Sequence, residues 1–429
     1  MTVPPVGSAR ARLLGVALLS AVMVGIAFPA HAATAADDGQ WWYDVYGVEQ
    51  AHADGWTGEG VKIAVIDSQI NPDLPVFADA DLTVAPGASC EGAVPSTSEL
   101  NDSSRHGSTV TALLVGNGAG AGAIRGIVPD ASVTFYGTGP LEQCTDSAEA
   151  QAAGLSAMLF QIERALDDGA QIISISQGGG AEGLRGTEVI ARAVTEGVPI
   201  VASVPNRSSE GGGVPNGFRG TVAVNAVDRD ANLLIGDLGV PNANPWTTVV
   251  APGSPFSSIG APGGTWDDSN RTAGSSLATP LVSGILAAAM QKYPDASANQ
   301  LLQSLIHNTG TEPHELAYDG ENGFGYGVAS LRSVLAADPS VYDDVNPLLD
   351  KPLAQLPTDE EFAAAEASVS ASPTPTPSSD GAPEDAGDGS PFGTIIVILA
   401  VVGGLVIVGA IILTIVLVRR SKNHAKEQS

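Results

Sequence analysis

The sequence predicts an α/β domain built on a mostly parallel central sheet, followed by one C-terminal transmembrane helix. Two observations carry this. Between residues 61 and about 335, short β-branched runs alternate with longer helical ones, and such alternation folds into a parallel sheet covered on both faces. Near the C-terminus, the 25 residues 394–418 hold no charge and are followed at once by Arg419, Arg420, Lys422 and Lys426. A helix of that length reaches about 37 Å, enough to cross a bilayer with some tilt. The basic cluster puts the tail, residues 419–429, on the cytoplasmic side.

At the other end, Arg10 and Arg12 precede an apolar run over residues 13–28, and Ala30 and Ala32 supply small residues at cleavage-determining positions. Residues 1–32 therefore read as a secretory signal peptide, with an uncleaved N-terminal anchor as the alternative. Together with the C-terminal span this puts residues 33–393 outside the cell. Residues 33–60 form an N-terminal extension too short to fold as a domain of its own. Trp41, Trp42 and Tyr43 within it are expected to dock on the core, because exposed aromatic surface is unfavourable in water.

The main folded domain is expected over residues 61–338. Runs 61–66, 132–136, 172–175, 198–202 and 221–227 read as buried strands, and 147–168, 186–196, 276–292 and 297–308 as helices. After residue 338 the composition shifts. Residues 339–393 read as a linker, first acidic, with one short helix within 353–367, then rich in Pro, Ser and Thr over 368–391.

The net charge is −28. Six of the 19 basic residues and one of the 47 acidic ones lie in the two ends, leaving 13 basic against 46 acidic residues between them. So acidic a surface argues against nucleic acid as a partner. No motif reads as a metal or cofactor site. The two cysteines, Cys90 and Cys144, both fall in the exported part, where a disulfide is the expected state and two buried thiols the alternative.

Three separated stretches describe one site. Asp67 ends the apolar run Val65-Ile66-Asp67, His106 is followed by Gly107 and opens a helical run, and Ser276 lies in the small-residue turn Gly274-Ser275-Ser276 that opens another. A serine nucleophile needs a base to take its proton, and the base needs a carboxylate to fix its tautomer. The helix after Ser276 offers free N–H groups and a positive dipole end where an oxyanion forms. Asp73 is a competing carboxylate but ends no strand. His52, His307 and His314, the other exported histidines, lack this setting.

The chain order Asp, His, Ser and the run Gly274-Ser275-Ser276-Leu277-Ala278-Thr279-Pro280 resemble the subtilisin-like serine proteases, whose signature is Gly-Thr-Ser-Met-Ala-Thr-Pro. His106-Gly107-Ser108 resembles their His-Gly-Thr. The resemblance implies a three-layer subtilisin-like fold, proteolysis of protein or peptide substrates, and catalysis by Asp67, His106 and Ser276. It further implies Asn206 as the oxyanion-hole donor, with Asn216 as rival. Ser176, Gln177 and Gly178 are implied as the strand that pairs with substrate backbone, and Ser203, Val204 and Pro205 as the border of the pocket for the residue before the cut. Where the family has glycine after Asp-Ser, this chain has Gln69, which leaves the local turn open. The whole arrangement, from signal segment to basic tail, is similar to the mycosins, membrane-anchored proteases linked to type VII secretion in actinobacteria. It implies association with a type VII secretion membrane complex. A scaffold of the same fold with little proteolysis is the alternative function.

Overall fold

The computed structural model describes residues 39–140, 144–178, 184–207, 213–311 and 314–371. The expected signal peptide, residues 372–391 of the Pro-rich part of the linker, the span 394–418 and the tail lie outside them. Among the described residues, no helix is long and apolar enough to cross a membrane.

The centre is a sheet of seven strands: β1 (Lys62–Asp67), β2 (Leu82–Val84), β3 (Ser132–Gly137), β4 (Ile172–Ile175), β5 (Ile200–Ser203), β6 (Val222–Val227) and β7 (Val249–Pro252). Their order is β2-β3-β1-β4-β5-β6-β7, and every pairing is parallel. Side chains of successive strand residues point to opposite faces. In β1, Ile63 and Val65 accordingly join one core cluster while Ala64 and Ile66 join the other. Both faces are covered, which is why the strands read as continuous apolar runs.

The helices are α1 (Trp41–Tyr46), α2 (Val48–Ala53), α3 (Asp102–Val115), α4 (Ala148–Ala153), α5 (Ala157–Asp167), α6 (Gly186–Thr195), α7 (Ser275–Lys292), α8 (Ala298–His307), α9 (Leu331–Ala336) and α10 (Asp359–Ala371). Residues of α5 and α6 pack into the cluster on one face, and those of α3 and α7 into the cluster on the other, giving three layers. The helix expected over 147–168 is broken at Gly154, whose left-handed φ of 71° caps α4, and Ser156 then starts α5. The edge strand β2, the strand β7 and the antiparallel pair β8 (Phe256–Ile259) and β9 (Ser269–Thr272) were not legible as strands in the sequence.

The N-terminal extension docks on this core. Trp41, Trp42, Tyr43 and Tyr46 are buried, and both tryptophan rings lie against Phe256. Gln40 donates from Nε2 to the Ala123 carbonyl (2.8 Å) and accepts from the Arg125 N–H (2.8 Å). The acidic part of the expected linker also packs on the domain up to α10. Leu348 and Phe362 are buried. Arg219 binds three stations of this strap: it donates to the Leu349 and Pro357 carbonyls and pairs with Asp359. Cys90 and Cys144 form a disulfide that closes a separation of 54 residues, worth about 4 kcal/mol on the chain-entropy view.

Candidate active site

The site lies beyond the carboxyl ends of the strands, where open α/β sheets place ligands. Asp67 is the last residue of β1 and is fully buried. One carboxylate oxygen, Oδ1, accepts from the Ser68 N–H (2.7 Å) and from Nδ1 of His106 (3.0 Å). The bond to Asp67 makes Nδ1 the protonated nitrogen and leaves Nε2 able to accept a proton. Asp73 is exposed and makes no such contact, so the geometry selects Asp67.

His106 sits in the second turn of α3, and its side chain is 35% exposed. The helix starts because Asn101 accepts from the Ser104 N–H and Ser104 returns a bond to the Asn101 N–H, a reciprocal cap. Gly107 follows His106 for a steric reason: a Cβ there would lie 2.1 Å from the Gln69 carbonyl oxygen. Gln69 itself has no left-handed backbone, so the position does not demand the glycine of the family pattern. Its side chain instead donates to the Val94 carbonyl and accepts from Asn101. Burial works against the imidazolium and is the largest single influence. The charge and hydrogen bond of Asp67 outweigh it and Arg105 opposes them in part, so the balance raises the His106 pKa above 6.5.

Ser276 is the second residue of α7, a helix buried over most of its length. Pro280 lies inside this helix, beyond the first turn. Lacking an N–H, it leaves the carbonyl of Ser276, four residues earlier, without its helical partner. Ser176 supplies the missing donor: its Oγ gives a 2.8 Å bond to that carbonyl. Ser176 immediately follows β4, and the last pair of the β1–β4 register is Ile66 with Ile175, so Asp67 and Ser176 leave the sheet side by side. The Ser176 hydroxyl thus ties the Ser276 carbonyl to the strand next to Asp67. Among the described residues no hydrogen bond joins His106 to Ser276.

Asn206 follows β5. Its Oδ1 accepts from the Ser275 N–H (2.9 Å) and lies 3.1 Å from the Ser275 hydroxyl, which also donates to the Val204 carbonyl (2.6 Å). Because a backbone N–H must face an oxygen, the amide cannot be flipped, and Nδ2 is presented on the other side. A Cβ built on Gly274 would lie 3.1 Å from that Nδ2 and 3.3 Å from Ser276 Oγ, so both border the small space that glycine keeps open. Asn216 is spent elsewhere: Nδ2 donates to the Ser203 carbonyl (2.9 Å) and Oδ1 accepts from the Gly213 N–H (3.1 Å).

The remaining expected residues are placed as follows. Gln177 donates to the Ser68 hydroxyl (2.6 Å), and Gly178 is exposed at the mouth. Ser203 and Pro205 are buried, and Val204 is 1% exposed with its N–H bonded to the Val224 carbonyl. This stretch therefore offers a groove its backbone, not the branched bulk of Val204. Asn242 was not legible as part of the site; it donates from Nδ2 to the Pro205 carbonyl (2.8 Å) and braces the same stretch. Among the described residues no group of three or more His, Cys, Asp or Glu is placed to hold a metal ion.

A serine hydroxyl at a helix N-terminus, a carboxylate-oriented imidazole and an anchored amide donor are equipped for nucleophilic acyl transfer. The comparisons agree. Residues 58–327 match the model of the subtilase family. The chain is 32% identical over 302 residues to subtilisin E of Bacillus subtilis (strain 168), covering 68% of this chain and 71% of that one. It is 32% identical over 276 residues to the subtilisin of Bacillus pumilus, covering 62% and 91%. Its fold is similar to fervidolysin from Fervidobacterium pennivorans, a keratinolytic enzyme related to subtilisin (TM-score 0.53, 22% identity, 71% of this chain and 48% of that one). It is also similar to the prenylagaramide maturation protease PagA (TM-score 0.52, 20% identity, 68% and 97%). The chain belongs to the subtilase family and is a subtilisin-like serine protease.

Proposed function

We propose that this chain is an extracytoplasmic serine endopeptidase, anchored by its single C-terminal span, that cuts exported proteins through Asp67, His106 and Ser276 in association with a type VII secretion membrane complex. The observation that carries the catalytic part is the 3.0 Å bond between His106 and the buried carboxylate of Asp67. The location rests on the apolar run 394–418 with its basic flank, and the secretion link on the likeness to mycosins.

In this mechanism Ser276 Oγ attacks the scissile carbonyl as its proton passes to His106 Nε2. The negative oxygen is met by Asn206 Nδ2 and the Ser276 N–H. His106 then returns the proton to the leaving amine, and water, activated by the same imidazole, releases the acyl group. Asp67 stays ionised and holds the ring.

A second reading, a scaffold with little proteolysis, draws on the missing His106–Ser276 hydrogen bond. Bonds of this kind often tighten only with substrate bound. Labelling with a fluorophosphonate separates the two: the wild-type chain should be modified and Ser276→Ala should not. A folded wild-type chain that stays unlabelled would falsify the catalytic reading.

A further inference from the structure

The strands β1 and β3 stay together beyond their last pair, Asp67 with Gly137. Thr138 gives its N–H to the Asp67 carbonyl (2.8 Å), and Gly139 gives its own to the Ser68 carbonyl (2.9 Å). On the other side β1 parts from β4. Their register ends at Ile66 with Ile175, and among the described residues no backbone hydrogen bond joins Ser68 or Gln69 to residues 176–178. One side chain closes this gap. Gln177 donates from Nε2 to the Ser68 hydroxyl (2.6 Å), and its Oε1 lies 3.4 Å from the hydroxyl of Thr138. The chain segments that leave β4, β1 and β3 are thus tied in a row.

The tie runs beside a carboxylate with few partners. Asp67 is fully buried, yet only Oδ1 is bonded, to the Ser68 N–H and to His106 Nδ1. Oδ2 meets no hydrogen-bond donor among the described residues. An unpaired oxygen in such a setting favours any movement that brings it to water. Ser68 holds the carboxylate through its backbone and is itself held by Gln177 through its hydroxyl. The far end of the row is fixed from outside: the Thr138 carbonyl accepts from the Cys90 N–H (2.8 Å), and Cys90 is bonded to Cys144. The half-buried Gln177 is the member that decides whether the row stays closed.

We propose that Gln177 is a positioning residue for catalysis: by tying Ser68 to the ends of β3 and β4, its side chain keeps Asp67 dry and its carboxylate aimed at His106. The inference rests on the catalytic reading above. It leaves the backbone of residues 176–178 to the substrate strand that the resemblance implies.

The test measures peptide cleavage by the full-length chain against pH, with fluorophosphonate labelling in parallel. Gln177→Ala cuts the tie and opens the edge. Water near Asp67 then weakens its attraction for the imidazolium, while Arg105, the other charge acting on His106, stays in place. The kcat should fall about tenfold, the scale of one net hydrogen bond, with KM within about twofold of wild type. The acid limb of kcat/KM should move to lower pH. Gln177→Glu keeps an acceptor for the Ser68 hydroxyl and adds negative charge beside the Asp–His pair, so its limb should lie above that of wild type. This second variant gives a reading if the alanine variant does not fold. An unmoved limb in either folded variant would overturn the assignment. A raised KM with kcat intact would overturn it too, because the side chain would then be a substrate contact. Wild type that neither labels nor cuts would overturn the catalytic reading and the role of Gln177 with it.

Discussion

The hydroxyl of Ser176 donates to the backbone carbonyl of Ser276, a bond that Pro280 cannot supply from within its own helix. The proline of the serine motif and the serine after β4 thereby act together. One frees a carbonyl beside the nucleophile, and the other ties it to the strand next to Asp67. Ser176→Ala leaves a buried acceptor unpaired, a loss of about 1–3 kcal/mol. The kcat should fall about tenfold with KM little changed, and Ser176→Thr should recover most of it. Full kcat in the alanine variant would mean that this bond does not position the nucleophile.

Asn206 is oriented by the Ser275 N–H, so its free edge meets charge only as the oxyanion forms. Asn206→Ala should lower kcat by about 10²–10³-fold, the loss seen when subtilisin itself gives up one oxyanion donor, with KM nearly constant. An equal rise in KM would point to ground-state binding instead.

The acid limb of kcat/KM should lie above pH 6.5, because Asp67 raises the His106 pKa and only the neutral ring can act as base. Activity is thus lost as the pH falls through that raised value. Asp67→Asn removes both influences that raise it, so the residual activity, lower by about 10⁴-fold, should show its limb at lower pH. An unmoved limb in Asp67→Asn would assign the titration to another group.

Lys351 is 4% exposed, and among the described residues no carboxylate pairs with it. Burial lowers its pKa from 10.5 to about 7. Between these values the unfolded chain holds a proton that the folded chain has released, so this group's contribution to stability rises with pH across that window. Below about pH 7 both states are protonated and the burden of the buried charge is at its largest. Measured as the Tm of wild type minus that of Lys351→Met, the difference should move in favour of wild type from pH 6 to pH 9. A flat difference would show that Lys351 keeps its charge throughout.

Gly107→Ala sets a methyl group against the Gln69 carbonyl, 2.1 Å away before relaxation. Alanine gains up to about 1 kcal/mol of helix propensity over glycine, and overpacking of this kind costs about 1–3 kcal/mol. Urea unfolding should show a net loss of stability, with activity reduced because residues 67–69 or α3 must shift. A variant more stable than wild type would show that the two segments part without strain.

Much of the site was legible because its chemistry is local in sequence. Asp67 closes an apolar strand, Ser276 opens a helix, and His106 is marked by the glycine beside it; spacing and residue type suffice to find such groups. The central strands were legible too, since a strand buried on both faces must be apolar throughout. The bond from His106 to Asp67 spans 39 positions and became visible only once α3 packed beside β1. The same holds for Ser176: the resemblance implied it as part of the strand that pairs with substrate backbone, and only the fold shows its hydroxyl bonded to a carbonyl 100 positions away. Val204 invited a reading as pocket bulk, yet the turn of one strand end decides which side a residue faces, and here it faces inward. The strap over residues 339–371 reads as linker by composition. It packs because Arg219, Asn216 and Thr221 present partners that no pattern within the strap itself reveals. The sequence alone named the candidate groups for the chemistry, through the residues that open and close its elements and the motifs that resemble the subtilases. The tertiary structure decided which of them meet, because hydrogen bonds and steric exclusion act between segments that only folding brings within a few ångströms.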